Sequence, residues 1–193
     1  MESRFGIIDG VVRTRVGYGG GLARNPDYGH IGDHTEVVQI DYDPARISYD
    51  DLLEIFWSSH DPTDWQGTRQ YMRGVFYQDQ QQRTRARDFK TAVQGRTDEE
   101  VRTRVVPLQS FTLAEDYHQK YLLKGHAELV REMKRIYPRK QDFVDSTAAT
   151  RLNGYAGGYG SLEQLRREID RLGLGPRGRN YLENLLQVRG LFN

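Results

Sequence analysis

Cysteine is missing from this chain: none of its 193 residues is a cysteine. This absence excludes disulfides, thiolate metal sites and any reaction that uses a cysteine nucleophile supplied by these residues. An excess of one charge is missing as well, because 28 basic residues are balanced by 27 acidic ones and leave a formal charge of +1. Nucleic-acid-binding domains carry a strongly basic face, so we expect no nucleic-acid partner.

Long hydrophobic runs are also missing. No apolar segment of the sequence approaches the roughly 20 residues that a helix needs to cross a bilayer. The first residues lack the basic region and the continuous apolar stretch of a secretory signal. We therefore expect no membrane partner and a cytoplasmic location, which a transit peptide ahead of Met1 would change. The length is that of one domain, or of one domain with a small appendix.

Hydrophobic patterns predict strands and helices in mixed order. Ser48 with Asp51 three residues later indicates a capping box, and apolar residues at helical spacing follow it. Alternation and apolar runs between turn residues predict strands at 11–18, 35–43, 73–78 and 102–108. Further helices are predicted at 79–95, 114–124 and 127–137. This order predicts an α+β fold in which helices pack on a sheet.

The character of the chain changes near residue 140. Beyond it the pattern is helical throughout, with a stripe of Leu162, Leu165, Ile169 and Leu172 at helical spacing. We therefore predict a domain over residues 1–140 and a helical C-terminal extension over residues 141–193.

The segment "NPDYGHIGDHTE" concentrates polar groups just before an apolar strand. Glu36 stands at the edge of that strand, where partial desolvation would raise its pKa and let it donate a proton; the alternative is an ordinary solvated glutamate. Tyr28 lies in the same segment, and Tyr71 directly precedes another strand. His30 and His34 could join Glu36 as metal ligands, but without a second histidine motif we expect no metal. Such donors suit the binding of a small polar oxide or carbonyl better than hydrolysis.

Several motifs together resemble one enzyme family. "VGYGGG", "NPDYGHIGDHTEVVQIDYDPARISYDDLLEIFWSSHDPT", "RQYMRGVFY" and "AEDYHQKYL" follow the order of the peptide-methionine (S)-S-oxide reductases, the type A methionine sulfoxide reductases, from about residue 1 to about residue 125. "RLNGYAGGYG" resembles a C-terminal extension of longer members. The resemblance implies a two-layer ferredoxin-like plait with a mixed sheet, whose first strand would stand ahead of this sequence.

The resemblance also implies an activity in protein repair under oxidative stress. Methionine sulfoxide, free or in oxidised proteins, would be the substrate, and thioredoxin or another thiol would be the reductant of a monomeric enzyme without a cofactor. Glu36 matches the proton donor of the family, and Tyr28 and Tyr71 match the tyrosines that hold the sulfoxide oxygen. Asp64 is a guess for an aspartate that the family places before the second tyrosine, because "HDPTDWQGTRQY" is shortened here.

The nucleophile motif of the family, "GCFWG", does not occur in the sequence. The resemblance places it immediately upstream of Met1. We expect a native start further upstream, with cysteine or a selenocysteine whose UGA codon was read as a stop, and no activity for the chain as written. The alternative is a non-catalytic module that binds methionine sulfoxide or a protein partner.

Overall fold

A computed structural model of the protein describes residues 1–64 and 67–190. Its strands are β1 (Val11–Gly19), β2 (Thr35–Tyr42), β3 (Gly74–Tyr77), β4 (Arg104–Pro107) and β5 (Phe111–Leu113). Its α-helices are α1 (Glu2–Gly6), α2 (Tyr49–Trp57), α3 (Gln80–Gln94), α4 (Tyr121–Lys124), α5 (Ala127–Ile136), α6 (Lys140–Asp145), α7 (Thr147–Ala156), α8 (Leu162–Glu168) and α9 (Pro176–Gly190). Short 3₁₀ turns cover Asp116–His118 and Ile169–Arg171.

The α+β class is confirmed, and the strands predicted at 11–18, 35–43, 73–78 and 102–108 are found within two residues of those bounds. One sheet has the order β2-β1-β5, and β3 and β4 form a second sheet. In the second sheet the strands are parallel, with Val75 opposite Val105. The ferredoxin-like plait stays a prediction.

The capping box at the start of α2 is confirmed. The Ser48 hydroxyl accepts a hydrogen bond from the Asp51 N–H at 3.1 Å, and the Asp51 carboxylate accepts one from the Ser48 N–H at 2.9 Å. Two of the orphan donors at this helix end are thereby satisfied. Arg85 of α3 pairs with Asp50 of α2, so the two helices are also held by charge.

The helix predicted over 114–124 is wrong. Ala114 follows β5, which pairs antiparallel with β1, with Gly17 opposite Leu113 and Gly19 opposite Phe111. A 3₁₀ turn comes next, and only the four residues of α4 are α-helical. The physical reason is Lys120, whose φ of +51° puts it in the left-handed region, where a right-handed helix cannot continue.

The chain divides into two compact units, of which the first holds residues 1–15, 38–46 and the described residues from 116 onward. Its core is made of fully buried side chains from four helices, namely Leu129, Met133, Leu152, Leu165 and Leu182. α1 and the residue that follows it pack closely on α7: a Cβ at Gly6 would lie 2.6 Å from the carbonyl oxygen of Thr150, and a Cβ at Gly154 would lie 2.7 Å from the Cβ of Ile7. From α5 to residue 190 the described elements are all helical, as predicted, whereas the division at residue 140 stays a prediction.

The second unit holds residues 16–37 and the described residues of 47–115. Leu53 and Trp57 of α2, Ala86 of α3 and Val101 form its buried core. Burial of a side chain such as Leu53 contributes about 1.5–3 kcal/mol. Within residues 1–64 and 67–190, no helix is long and apolar enough to cross a membrane.

Candidate functional site

The loop of residues 20–34, which connects β1 to β2, is closed by a carboxylate near its end. Asp33 accepts hydrogen bonds from the N–H groups of Leu22 and Ala23, both at 2.9 Å. These backbone bonds lower the pKa of Asp33 and keep it ionised. Arg69 adds a second closure, since its guanidinium donates to the carbonyls of Gly20 and Asp33. The two ends of the loop are therefore held together.

Tyr28, in the middle of this loop, is anchored by Glu115. The Tyr28 N–H donates to one oxygen of that carboxylate at 3.0 Å. The other oxygen accepts the hydroxyl hydrogen of Tyr18 at 2.6 Å, and Tyr18 is only 1% exposed on β1. One carboxylate thus connects the loop to a buried strand residue.

The hydroxyl groups of Tyr28 and Tyr71 lie 3.4 Å apart, within hydrogen-bonding distance. Both rings are about half exposed, at 45% and 47%. The hydrogen bond with Tyr28 raises the pKa of Tyr71, and burial and the charges of Tyr28 and Glu36 raise it further. Tyr71 therefore remains a neutral phenol that can donate its hydroxyl hydrogen to a ligand.

Glu36 is held beside this pair by the residue that precedes Tyr71. The Glu36 N–H donates to the carbonyl of Gln70 at 2.9 Å, and the Gln70 amide donates to the Glu36 carboxyl at 2.8 Å. The Glu36 side chain is partly buried on β2. The structure therefore brings together the three predicted site residues Tyr28, Glu36 and Tyr71.

The remaining candidates have other partners. Asp64 forms an ion pair with Arg73 at 3.0 Å. His30 lies 3.1 Å from Asp27 at the surface, while the ring of His34 contacts the carbonyl of Ala23 at 2.9 Å. Within the part of the chain that the structure describes, no three His, Asp or Glu side chains are grouped to hold a metal ion.

Sequence reasoning did not identify Gln70 or Glu115 as site residues. Glu115 is placed by the sequence pattern in the first turn of a helix, whereas the structure places it between β5 and a 3₁₀ turn. Its bonds to Tyr18 and Tyr28 bridge 97 and 87 positions of the chain. A local sequence pattern cannot predict contacts between residues so far apart in the chain. For Gln70, its position next to Tyr71 is a signal that the sequence does offer.

Together, the fold and the site define an α+β protein in which two phenol hydroxyls and a carboxyl lie close together. The family model of peptide methionine sulfoxide reductase matches residues 1–152, and a model for the helical domain of selenoprotein methionine sulfoxide reductase A matches residues 140–178. The chain belongs to the peptide methionine sulfoxide reductase family, whose members are oxidoreductases.

Known proteins of the same family are similar over most of the chain. The chain is 41% identical over 182 residues to peptide methionine sulfoxide reductase of Drosophila melanogaster, covering 93% of this chain and 73% of that protein. It is 40% identical to peptide methionine sulfoxide reductase A5 of Arabidopsis thaliana, covering 80% of this chain and 63% of that protein. The chain thus spans less than two thirds of the second relative.

Solved structures agree with this membership. The reduced form of Mxr1 from Saccharomyces cerevisiae superposes with a TM-score of 0.56 at 28% identity, over 60% of this chain and 72% of that one. Methionine sulfoxide reductase A of Corynebacterium diphtheriae superposes with a TM-score of 0.51 at 34% identity, over 60% and 64%.

Proposed function

We propose that the protein is a peptide methionine (S)-S-oxide reductase, which returns the S-sulfoxide of methionine, free or in proteins, to methionine. The observation that carries this proposal is the pair of hydroxyl groups of Tyr28 and Tyr71, 3.4 Å apart, with the carboxyl of Glu36 beside them. Two phenols and a carboxylic acid are hydrogen-bond donors for one oxygen atom. A sulfoxide oxygen gains negative charge as its sulfur is attacked, and such preorganised donors stabilise that charge.

The roles of the three residues follow from the balance of the reaction. A thiolate or selenolate attacks the substrate sulfur, and the bond between them breaks again as the oxygen moves from the substrate sulfur to the nucleophile. The S–O bond of the substrate is thereby broken, an S–O or Se–O bond of the nucleophile is formed, and Glu36 supplies the proton that this oxygen takes up. The substrate sulfur gains two electrons and becomes a thioether, while the nucleophile becomes a sulfenic or selenenic acid. Two thiols, for which we propose thioredoxin or a similar dithiol, then reduce that acid and release water. Tyr28 and Tyr71 hold the oxygen during the first step.

The nucleophile itself is proposed to come from residues that precede Met1, in the "GCFWG" motif of the family. Among the 193 residues there is no cysteine that could take this part. The match of residues 140–178 to a model for selenoproteins supports selenocysteine at that position. A monomeric state and a cytoplasmic location stay predictions.

The first test reads the upstream codons and assays the chain with and without the motif. We expect an in-frame TGA or TGC followed by codons for Phe-Trp-Gly. The chain preceded by Gly-Cys-Phe-Trp-Gly should reduce methionine sulfoxide with thioredoxin, and a matched Gly-Ser-Phe-Trp-Gly form should be slower by about 10⁶-fold. Turnover by the chain without any added motif would contradict the proposed source of the nucleophile.

The second test addresses the three residues. In the active form, Glu36→Gln should lower kcat by about 10²–10⁴-fold, the usual contribution of a general acid. Glu54→Gln, the same change at an exposed position of α2, is the matched control. Equal kcat values for the two variants would remove Glu36 from the reaction. Saturable binding of a methionine-sulfoxide peptide without turnover by the motif-bearing form would favour the binding module instead.

A further inference from the structure

The first unit contains a buried ion pair that the site above does not use. Lys120 is fully buried and Glu2 is 8% exposed. The Lys120 ammonium donates to the Glu2 carboxylate at 2.7 Å, and also to the carbonyl and the hydroxyl oxygen of Thr14. Burial lowers the pKa of Lys120, and the negative charge of Glu2 opposes this shift. With the Glu2 carboxylate and the two Thr14 oxygens as acceptors, all three protons of the Lys120 ammonium are used in hydrogen bonds.

The Glu2 carboxylate collects donors from three separate parts of the unit. The backbone N–H of Lys120 donates to it at 2.8 Å, the Thr14 hydroxyl at 3.1 Å, and the Asn153 amide at 3.4 Å. Thr14 belongs to β1, Asn153 to α7, and Lys120 directly precedes α4. The same carboxylate also accepts the N–H of Lys120, whose left-handed backbone conformation is unfavourable for a residue other than glycine.

Such a pair is weak evidence for stability alone. Well-packed apolar residues of similar volume often do as well or better than a buried ion pair, whereas a single unpaired charge is strongly unfavourable. What the pair does provide is a fixed orientation of the Glu2 side chain, because each oxygen of its carboxylate has its own donors. α1 is only five residues long, so its placement depends on such contacts and not on helix propensity.

We propose that Glu2 and Lys120 are positioning residues, which fix the direction in which the chain enters α1 and hence the place of the residue immediately before Met1. This inference rests on the proposed function, which puts the nucleophile in that stretch. Neither side chain needs to touch the substrate. Arg15 and Asp145 also act electrostatically on Lys120, so their charges belong to the same environment.

The test compares Glu2→Gln with Glu132→Gln in the motif-bearing protein. Glu132 is the matched control because its carboxylate accepts the N–H groups of Gly175 and Gly178 at 2.7 and 3.0 Å, in the same unit but at the start of α9. In the folded state, Glu2→Gln should lower kcat by about 100-fold, the effect of a displacement of about 1 Å, with little change in KM. Glu132→Gln should leave both constants near those of the parent.

Hydrogen exchange on the unextended chain provides a readout that does not need turnover. The amide of Phe5, which donates to the carbonyl of Met1 at 3.2 Å, should exchange at least about tenfold faster in Glu2→Gln than in Glu132→Gln after correction for global stability. The double variant Glu2→Gln with Lys120→Met removes both charges and covers the case in which the single variant does not fold. It should recover thermal stability but not kcat.

The outcomes separate the two proposals. If the motif-bearing parent shows no turnover, the proposed function fails, and the exchange of the Phe5 amide alone decides the positioning role. Unchanged kcat and unchanged exchange in both Glu2 variants would overturn that role. Joint recovery of stability and kcat in the double variant would also overturn it, because the pair would then be merely structural.

Discussion

Replacement of Glu115 by alanine tests the reasoning about how Tyr28 is held. The change leaves the buried hydroxyl of Tyr18 without its carboxylate acceptor at 2.6 Å and removes the acceptor of the Tyr28 N–H at 3.0 Å. A hydrogen bond to a charged acceptor contributes about 1.5–3 kcal/mol. The bond to Tyr28 is exposed, so we assign it about 0.5–1 kcal/mol. The free energy of unfolding should therefore fall by about 2–4 kcal/mol.

The assay is urea denaturation followed by circular dichroism, with thermal unfolding as a second probe. For a chain of this length each kcal/mol corresponds to about 2–4 °C in Tm. Glu54→Ala, at an exposed site of α2, is the control and should stay within about 0.5 kcal/mol of the parent. A cycle of Glu115→Ala with Tyr18→Phe should give a coupling energy of about 1–2 kcal/mol. A loss below about 0.5 kcal/mol in Glu115→Ala would refute the anchoring role.

Three further outcomes can be measured directly. Tyr28→Phe should bring the pKa of Tyr71 back toward its ordinary value, seen in a ¹³C-tyrosine NMR titration, because the hydrogen bond between them is the main cause of its rise; an unmoved pKa would contradict that cause. Folding lowers the pKa of Asp33, so the contribution of Asp33 to loop closure is complete above its unfolded pKa of about 3.9 and is lost as pH falls through the lower folded pKa. The amide NMR resonances of residues 22 and 23 should report this transition, and Asp33→Asn should abolish it. Gly154→Ala should destabilise by about 1–3 kcal/mol in urea denaturation, despite a gain of about 1 kcal/mol in helix propensity, because the new Cβ would lie 2.7 Å from the Cβ of Ile7; a more stable variant would refute the close packing of Ile7 on α7.

The sequence predicted those elements that local chemistry determines. The box formed by Ser48 and Asp51 is a three-residue pattern, and the structure shows both of its hydrogen bonds. The helix over 114–124 fails for the opposite reason. Its first residues directly follow β5, which pairs with β1 about 95 positions earlier, and they lead into a 3₁₀ turn. Lys120 is held in its left-handed conformation by the distant carboxylate of Glu2. Such contacts leave no trace in a short window of sequence.

The candidate site shows the same limit. The resemblance supplied Tyr28, Glu36 and Tyr71, and the structure places the three together, while their roles in a reaction stay predictions. Gln70 and Glu115, which hold them, were not identified, because their importance lies in which distant atoms their oxygens and amides reach. Supporting residues of this kind emerge only once the strands that carry them are placed.

The closure of the loop over residues 20–34 has a consequence for how sequences of this protein can diverge. Asp33 and Arg69 hold the two ends of this loop together, so the distance between its ends does not depend on its length. For a loop closed in this way, doubling the number of residues costs only about 0.6 kcal/mol of closure entropy. Changes of loop length should therefore cost little closure entropy, provided that Tyr28 keeps its bond to Glu115.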